Sequence, residues 1–152
     1  MNEYMRQAIA EAREGIFEGH GGPFGAVIVK DGKIIGRGHN QVLKNNDPTC
    51  HGEVMAIHDA CKNLGTFDLS GCEIYTTGEP CPMCLGAILW ANIDKIYYGC
   101  NIVDTDKIGF RDDVFYKRLR PENRGDLLKE LDREECLKLY DEYLSIADRK
   151  SY

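Results

Sequence analysis

Two short segments constrain this chain more than anything else in it: His51-Gly52-Glu53 and Pro80-Cys81-Pro82-Met83-Cys84. Each opens a stretch patterned as a helix. His51 and Cys81 are thirty residues apart, so the two segments act together only if the fold brings two helix starts to one place. The C-x-x-C spacing puts both sulfurs on one side of a first helical turn. Pro82 suits that turn, where its missing N–H has no partner to lose. Zinc binds imidazole nitrogen and thiolate sulfur, and a catalytic zinc keeps three protein ligands and one open position for water. His51, Cys81 and Cys84 are such a set. A helix N-terminus and a metal both favour thiolates. Glu53 is placed to face a metal-bound water without being a ligand. Zinc brings the pKa of bound water toward ~7, and a carboxylate beside that water can pass its proton to a leaving amine. This is equipment for hydrolytic deamination at an amidine-like carbon of a heteroaromatic ring.

Two other uses of these residues make different demands. A thioredoxin-like redox pair leaves His51 and Glu53 without a role. A structural zinc site calls for a fourth protein ligand. Cys50 is the nearest candidate, and as the neighbour of His51 it would have to point elsewhere.

Length and composition narrow the class. At 152 residues one core suffices, so a single domain over 1–152 is expected. A chain that is 43% hydrophobic and 29% charged is neither disordered nor membrane-embedded. Its longest apolar runs, Ala26–Val29 and Ala87–Ala91, fall far short of the ~20 residues that span a bilayer. The polar N-terminus has no signal-peptide pattern, so a cytoplasmic location without a membrane partner is expected. Seven cysteines cannot all pair within the chain. Beyond Cys81, Cys84 and Cys50, the remaining Cys61, Cys72, Cys100 and Cys136 read as small buried apolar residues. His20, His39 and His58 read as surface or structural. A net charge of −6 counts against a nucleic-acid partner. The basic residues Lys117, Arg118, Arg120 and Arg124 sit among carboxylates as a solvated surface.

Periodicity predicts a helix over the first 19 residues and a hairpin of Phe24–Lys30 and Lys33–Asn40 about Asp31-Gly32. A loop over 41–50 follows, then a helix from His51 to Asn63 ending at Gly65, and a strand Glu73–Thr77. A helix Cys81–Ala91 and a strand Lys95–Gly99 come next. Residues 101–125 read as loop with one helical turn near Asp112–Tyr116. A last strand, Asp126–Leu131, and a helix capped by Asp132 and running to Arg149 complete one α/β sandwich.

The order H-x-E then P-C-x-x-C is the signature of zinc nucleobase deaminases, and the chain resembles the cytidine deaminase superfamily. Within it, the chain is similar to the bacterial guanine deaminases. The resemblance rests on Gly21-Gly22-Pro23-Phe24-Gly25-Ala26-Val27-Ile28-Val29-Lys30-Asp31-Gly32, Asn46-Asp47-Pro48-Thr49, His51-Gly52-Glu53-Val54 and Glu79-Pro80-Cys81-Pro82-Met83-Cys84-Leu85-Gly86-Ala87-Ile88. Gly109-Phe110 with Asp112 and Tyr116, and the ending Lys150-Ser151-Tyr152, separate it from the tRNA adenosine deaminases. The resemblance implies a three-layer α/β/α sandwich around a mixed five-stranded sheet. It implies Zn2+ on His51, Cys81 and Cys84, with Glu53 as proton shuttle. It assigns Asn40 to hydrogen-bonding the base and Phe24 to packing on its ring. Asp112 is assigned to holding the purine and moving protons. Trp90 is implied as an aromatic near a subunit interface and is counted with the base-binding residues. Residues 147–152 are implied to be a segment exchanged within a homodimer, so that Tyr152 closes the partner's pocket. The residues alone also allow Asn40 as a turn residue, Phe24 as core and Asp112 as a helix N-cap.

Two positions depart from the pattern. The family has alanine on both sides of the zinc histidine, where this chain has Cys50 and Gly52. A helical Gly52 costs up to ~1 kcal/mol against alanine unless a close backbone approach requires it. The expected reaction is hydrolysis of guanine, a small-molecule purine base, to xanthine and ammonia. Guanosine, an aminotriazine such as ammeline, cytosine and tRNA adenosine remain alternative substrates, and a non-catalytic zinc-bound interaction module remains an alternative role.

Overall fold

Asn2 starts the first helix, α1 (Glu3–Phe17), its side chain accepting the Met5 N–H at 3.0 Å. The computed structural model describes residues 1–152, which divide into two units, Met1–Tyr116 and Lys117–Tyr152. In the first, α1 leads to a hairpin of β1 (Gly25–Lys30) and β2 (Lys33–His39). Asp31 (φ 49°) and Gly32 (φ 77°) make the turn, the left-handed pair that matches strand twist. A single helical turn, α2 (Val42–Asn45), precedes α3 (Gly52–Leu64). Then come β3 (Glu73–Gly78), α4 (Pro82–Trp90), β4 (Lys95–Cys100), α5 (Ile102–Lys107) and the start of α6 (Asp112–Arg118).

The sheet has four strands in the order β2-β1-β3-β4, the first pairings antiparallel and β3–β4 parallel. It is therefore mixed, as expected, but the fifth strand is absent. Residues Gly125–Leu127 form a 3-10 turn instead. Leu127 and Leu128 are adjacent, so no strand register puts both on one face, and both are exposed.

Strand alternation sorts β1 onto two cores. Ala26 and Ile28 join Ile74 of β3, Ala56 and Ala60 of α3, and Ile88 of α4 on one face. Val27 and Val29 join Tyr75 and Ala8 of α1 on the other. Helices thus cover both faces, and β1 is buried on both, which explains its unbroken apolar run.

The contact of α3 with β2 is backbone-close. A Cβ on Gly36 would lie 2.6 Å from the Ala56 carbonyl oxygen and 2.7 Å from the Ala60 nitrogen. Neither atom can yield without moving the helix. Gly36→Ala is expected to cost about 1–3 kcal/mol by overpacking, read as a lower melting temperature or denaturant midpoint.

The pairing gathers the site at one end of the sheet. Gly25, at the start of β1, pairs with His39 at the end of β2, and Gly78 pairs with Cys100 at the ends of β3 and β4. Phe24, Asn40 and the Glu79–Cys81 segment therefore leave the sheet together.

In the second unit, 3-10 turns at Pro121–Asn123 and Gly125–Leu127 precede α7 (Arg133–Leu144). Asp132 holds the N-cap position with φ 53° and makes no side-chain cap bond, unlike the expected cap. The helix stops at Ser145, short of the expected Arg149, whose Nη1 instead donates to the Leu144 and Ile146 carbonyls at 2.9 Å each. No residue of α7 is buried. No helix is long and apolar enough to cross a membrane.

Candidate active site

His51 and Cys81 hold the N-cap positions of α3 and α4 in extended backbone, and neither spends its side chain on capping. Both side chains are thus available to a common point. The Sγ atoms of Cys81 and Cys84 each lie 3.5 Å from His51 Nδ1. A tetrahedral zinc with bonds of about 2.0–2.1 Å to nitrogen and 2.3 Å to sulfur needs N and S about 3.5 Å apart, so the donor set fits that ion. The three ligand atoms lie within 4.8 Å of one another.

Cys50 is buried but not part of the cluster: its Sγ accepts from Asn45 Nδ2 at 3.6 Å. Three protein ligands leave a fourth position open, which is the requirement of a catalytic site and not of a structural one.

The charges at the site are strongly biased. The Cys84 thiol hydrogen-bonds to Cys81 and, with His51, holds Cys81 down to about 4. Cys84 itself, donating to Cys81 and fully buried, is pushed up. The bond to Cys81 raises His51. Glu53, in the first turn of α3, is only 6% exposed, and desolvation raises its carboxyl. A carboxyl that can both take and return a proton suits general acid–base work.

A cavity of about 320 Å³ opens on this centre, lined by Phe24, Asn40, His51, Glu53, Cys81 and Asp112 among others. That size takes a small heteroaromatic molecule. Asn40 is buried, with its Oδ1 accepting from Val42 N–H at 3.1 Å, which leaves its NH2 group to donate. Phe24 meets Phe110 edge-to-face, with centroids 4.8 Å apart. Asp112 opens α6, and burial raises its carboxyl, with the negative Cys81 adding to the shift.

The remaining expected positions are placed differently. Trp90 is 67% exposed at the far end of α4 and does not line the cavity, because a nine-residue helix separates it from Cys81. Tyr152 ends the second unit and is exposed. Of the cysteines expected to be buried, Cys100 and Cys136 are exposed. His39 is structural: it is buried, with Nδ1 3.1 Å from Glu11 Oε2 and Nε2 2.8 Å from His20 Nδ1.

Gly52 is now explained. A Cβ there would lie 2.8 Å from the Phe24 carbonyl oxygen and 3.1 Å from its carbonyl carbon. The segment carrying Phe24 packs directly on the start of α3, and glycine permits the approach. Sequence reasoning gave no role to Phe110 or to the Tyr116 hydroxyl, which donates to the Pro80 carbonyl at 2.5 Å. Their only signal was membership of the Gly109–Tyr116 stretch.

An open His/Cys/Cys metal site at two helix starts, beside a buried glutamate and a base-sized cavity, is the arrangement of a metal-dependent hydrolytic deaminase. The family model for the cytidine and deoxycytidylate deaminase zinc-binding region matches residues 1–100, and the chain belongs to this family. It is 44% identical over 151 residues to the guanine deaminase of Bacillus subtilis (strain 168), covering 98% of this chain and 97% of that one. The X-ray structure of guanine deaminase from Bacillus subtilis superposes with a TM-score of 0.92 at 44% identity, covering 100% of this chain and 99% of that one. The tRNA-specific adenosine deaminase of Aquifex aeolicus (strain VF5) is also 44% identical, over 95 residues and 62% of each chain.

Proposed function

We propose that this protein hydrolyses guanine to xanthine and ammonia, with Zn2+ held by His51, Cys81 and Cys84. One observation carries the reading: a second carboxylate, Asp112, faces the same cavity as Glu53 and comes from beyond the residues 1–100 matched by the family model. The similarity to guanine deaminase extends over 98% of the chain, whereas the tRNA-specific adenosine deaminases of Aquifex aeolicus and Buchnera aphidicola match 62% and 77% of it.

Bound zinc supplies an acidified water with a pKa near ~7. Glu53, beside the His51, Cys81 and Cys84 ligands that would hold the zinc, would take one proton from the attacking water as its oxygen adds to C2 of guanine. Glu53 would deliver that first proton to the ring nitrogen beside C2, then take the second water proton from the new C2 hydroxyl and pass it to the amino group, so that the C2–N bond breaks, ammonia leaves and C2=O remains. Asn40 donates to an acceptor edge of the base, Asp112 accepts a base N–H and assists proton movement, and Phe24 packs on the ring.

The protein acts as a homodimer in which the C-terminal segment, residues 147–152, is exchanged and Tyr152 closes the partner's cavity. Supporting this, the second unit leaves Leu131, Leu139, Tyr140, Leu144 and Ile146 exposed, an apolar surface that calls for a cover.

A substrate panel tests both parts. Protein of known zinc content, full-length and lacking Ser151 and Tyr152, is given guanine, guanosine, cytosine, adenine and ammeline, and ammonia release is measured. Guanine is expected to give the highest kcat/KM, and the shortened chain to lose at least about tenfold, one 1.4 kcal/mol contact. Turnover of another compound without guanine would overturn the substrate. An unchanged shortened chain would remove Tyr152 from the site.

A further inference from the structure

The start of α4 is held in place from outside the helix. Glu79 N–H donates to the Cys100 carbonyl at 2.7 Å, and Glu79 Oε2 accepts from Ile102 N–H at 2.9 Å. These two contacts fasten the segment to the end of β4 and the first turn of α5. Pro80 comes next, immediately before the ligand Cys81. The first intrahelical acceptor of α4 is the Cys81 carbonyl, bonded by Leu85 N–H at 2.8 Å, so the Pro80 carbonyl lies outside the helix ladder. Its donor is the Tyr116 hydroxyl, 36 residues away in sequence.

Tyr116 is one helical turn beyond Asp112 on α6, and residues four apart share a helix face. Asp112 lines the cavity, while Tyr116 reaches the backbone that presents Cys81. One short element therefore touches the site at two points, a carboxylate on the base side and a phenol on the metal side. Burial pushes the phenol up to about 12, so it stays a donor throughout the neutral range.

We propose that Tyr116 is a positioning residue, whose hydroxyl ties α6 to the Pro80 carbonyl and so sets both the presentation of Cys81 and the distance of Asp112 from the metal ligands. For Asp112 this deepens the deaminase reading and rests on it; for Cys81 it rests only on the ligand geometry. Neighbours that orient a metal ligand commonly change affinity or activity by about 10–100-fold when removed.

The test is Tyr116→Phe in the full chain, which deletes one oxygen and keeps the ring. Zinc affinity is measured by competition with a chromophoric chelator, and the visible spectrum of the cobalt-substituted protein reports the thiolate geometry. The expected results are about tenfold weaker zinc retention, a shifted cobalt spectrum and a circular-dichroism spectrum like that of the parent. In ammonia release kcat is expected to fall about tenfold, and much less when Asp112→Asn is already present, since Tyr116 acts partly through Asp112. Wild-type zinc affinity with an unshifted cobalt spectrum would overturn the proposal, as would full additivity of the two substitutions. The metal titrations need no substrate, so they remain decisive if the unsubstituted protein proves inactive on guanine. That result would count against the substrate reading alone.

Discussion

Glu53→Gln is expected to lower kcat by about 10²–10⁴-fold, the range for loss of a positioned proton carrier, with zinc content unchanged. The substitution keeps shape and volume at a position only 6% exposed, so packing on α3 is preserved. It removes the one property the reaction needs there, since an amide neither accepts nor returns a proton at neutral pH. Glu53 is not among the three clustered ligand residues, which is why zinc stays bound. The loss corresponds to about 3–5 kcal/mol of transition-state stabilisation. Ammonia release and metal analysis on the same preparation check it. A Gln variant with full activity would remove Glu53 from the reaction.

Losing the metal is expected to be as severe and to act on stability as well. Cys84 is fully buried, and its sulfur sits 3.5 Å from His51 Nδ1. Cys84→Ser fills nearly the same volume with a poor zinc ligand, so the purified variant should contain little zinc and release no measurable ammonia. Removing zinc from the unsubstituted protein with a chelator should do the same, and added zinc should restore activity. A ligand that binds only the folded state at about 1,000 times its Kd adds about 4 kcal/mol of stability. For a chain of this size that is about 8–16 °C in Tm. Calorimetry with and without chelator reads the shift. A chelated protein with unchanged Tm and activity would show that His51, Cys81 and Cys84 hold no functional metal.

Much of the fold was legible because its signals are local. The Asp31-Gly32 turn, the alternation around it and the helix stop at Gly65 each follow from neighbouring residues, and each is found where the pattern puts it. The helix α5 was missed although its signal was present. Asn101 and Asp104 form a reciprocal capping box, with Asn and Asp in place of the commoner Ser/Thr and Glu/Gln. The last strand failed for a different reason. Asp126–Leu131 has no β-branched or aromatic residue and no consistent face, and strand formation depends on finding a partner edge.

The site divides along the same line. Glu53 follows His51 by two residues, and Cys84 follows Cys81 by three, at the starts of helices. The sequence by itself therefore determined which residues can ligate metal and which carboxylate can shuttle a proton, because helical period sets those relations over a single turn. It did not determine that the two helix starts meet, that Cys50 turns away to Asn45, or that Trp90 is absent from the cavity lining. Only the tertiary structure decided these, through antiparallel pairing of β1 with β3 and parallel pairing of β3 with β4. It also decided what a Cβ at Gly52 would strike and what the Tyr116 hydroxyl holds. Such contacts join residues tens of positions apart, and their distances are set by close packing of whole elements rather than by any local pattern.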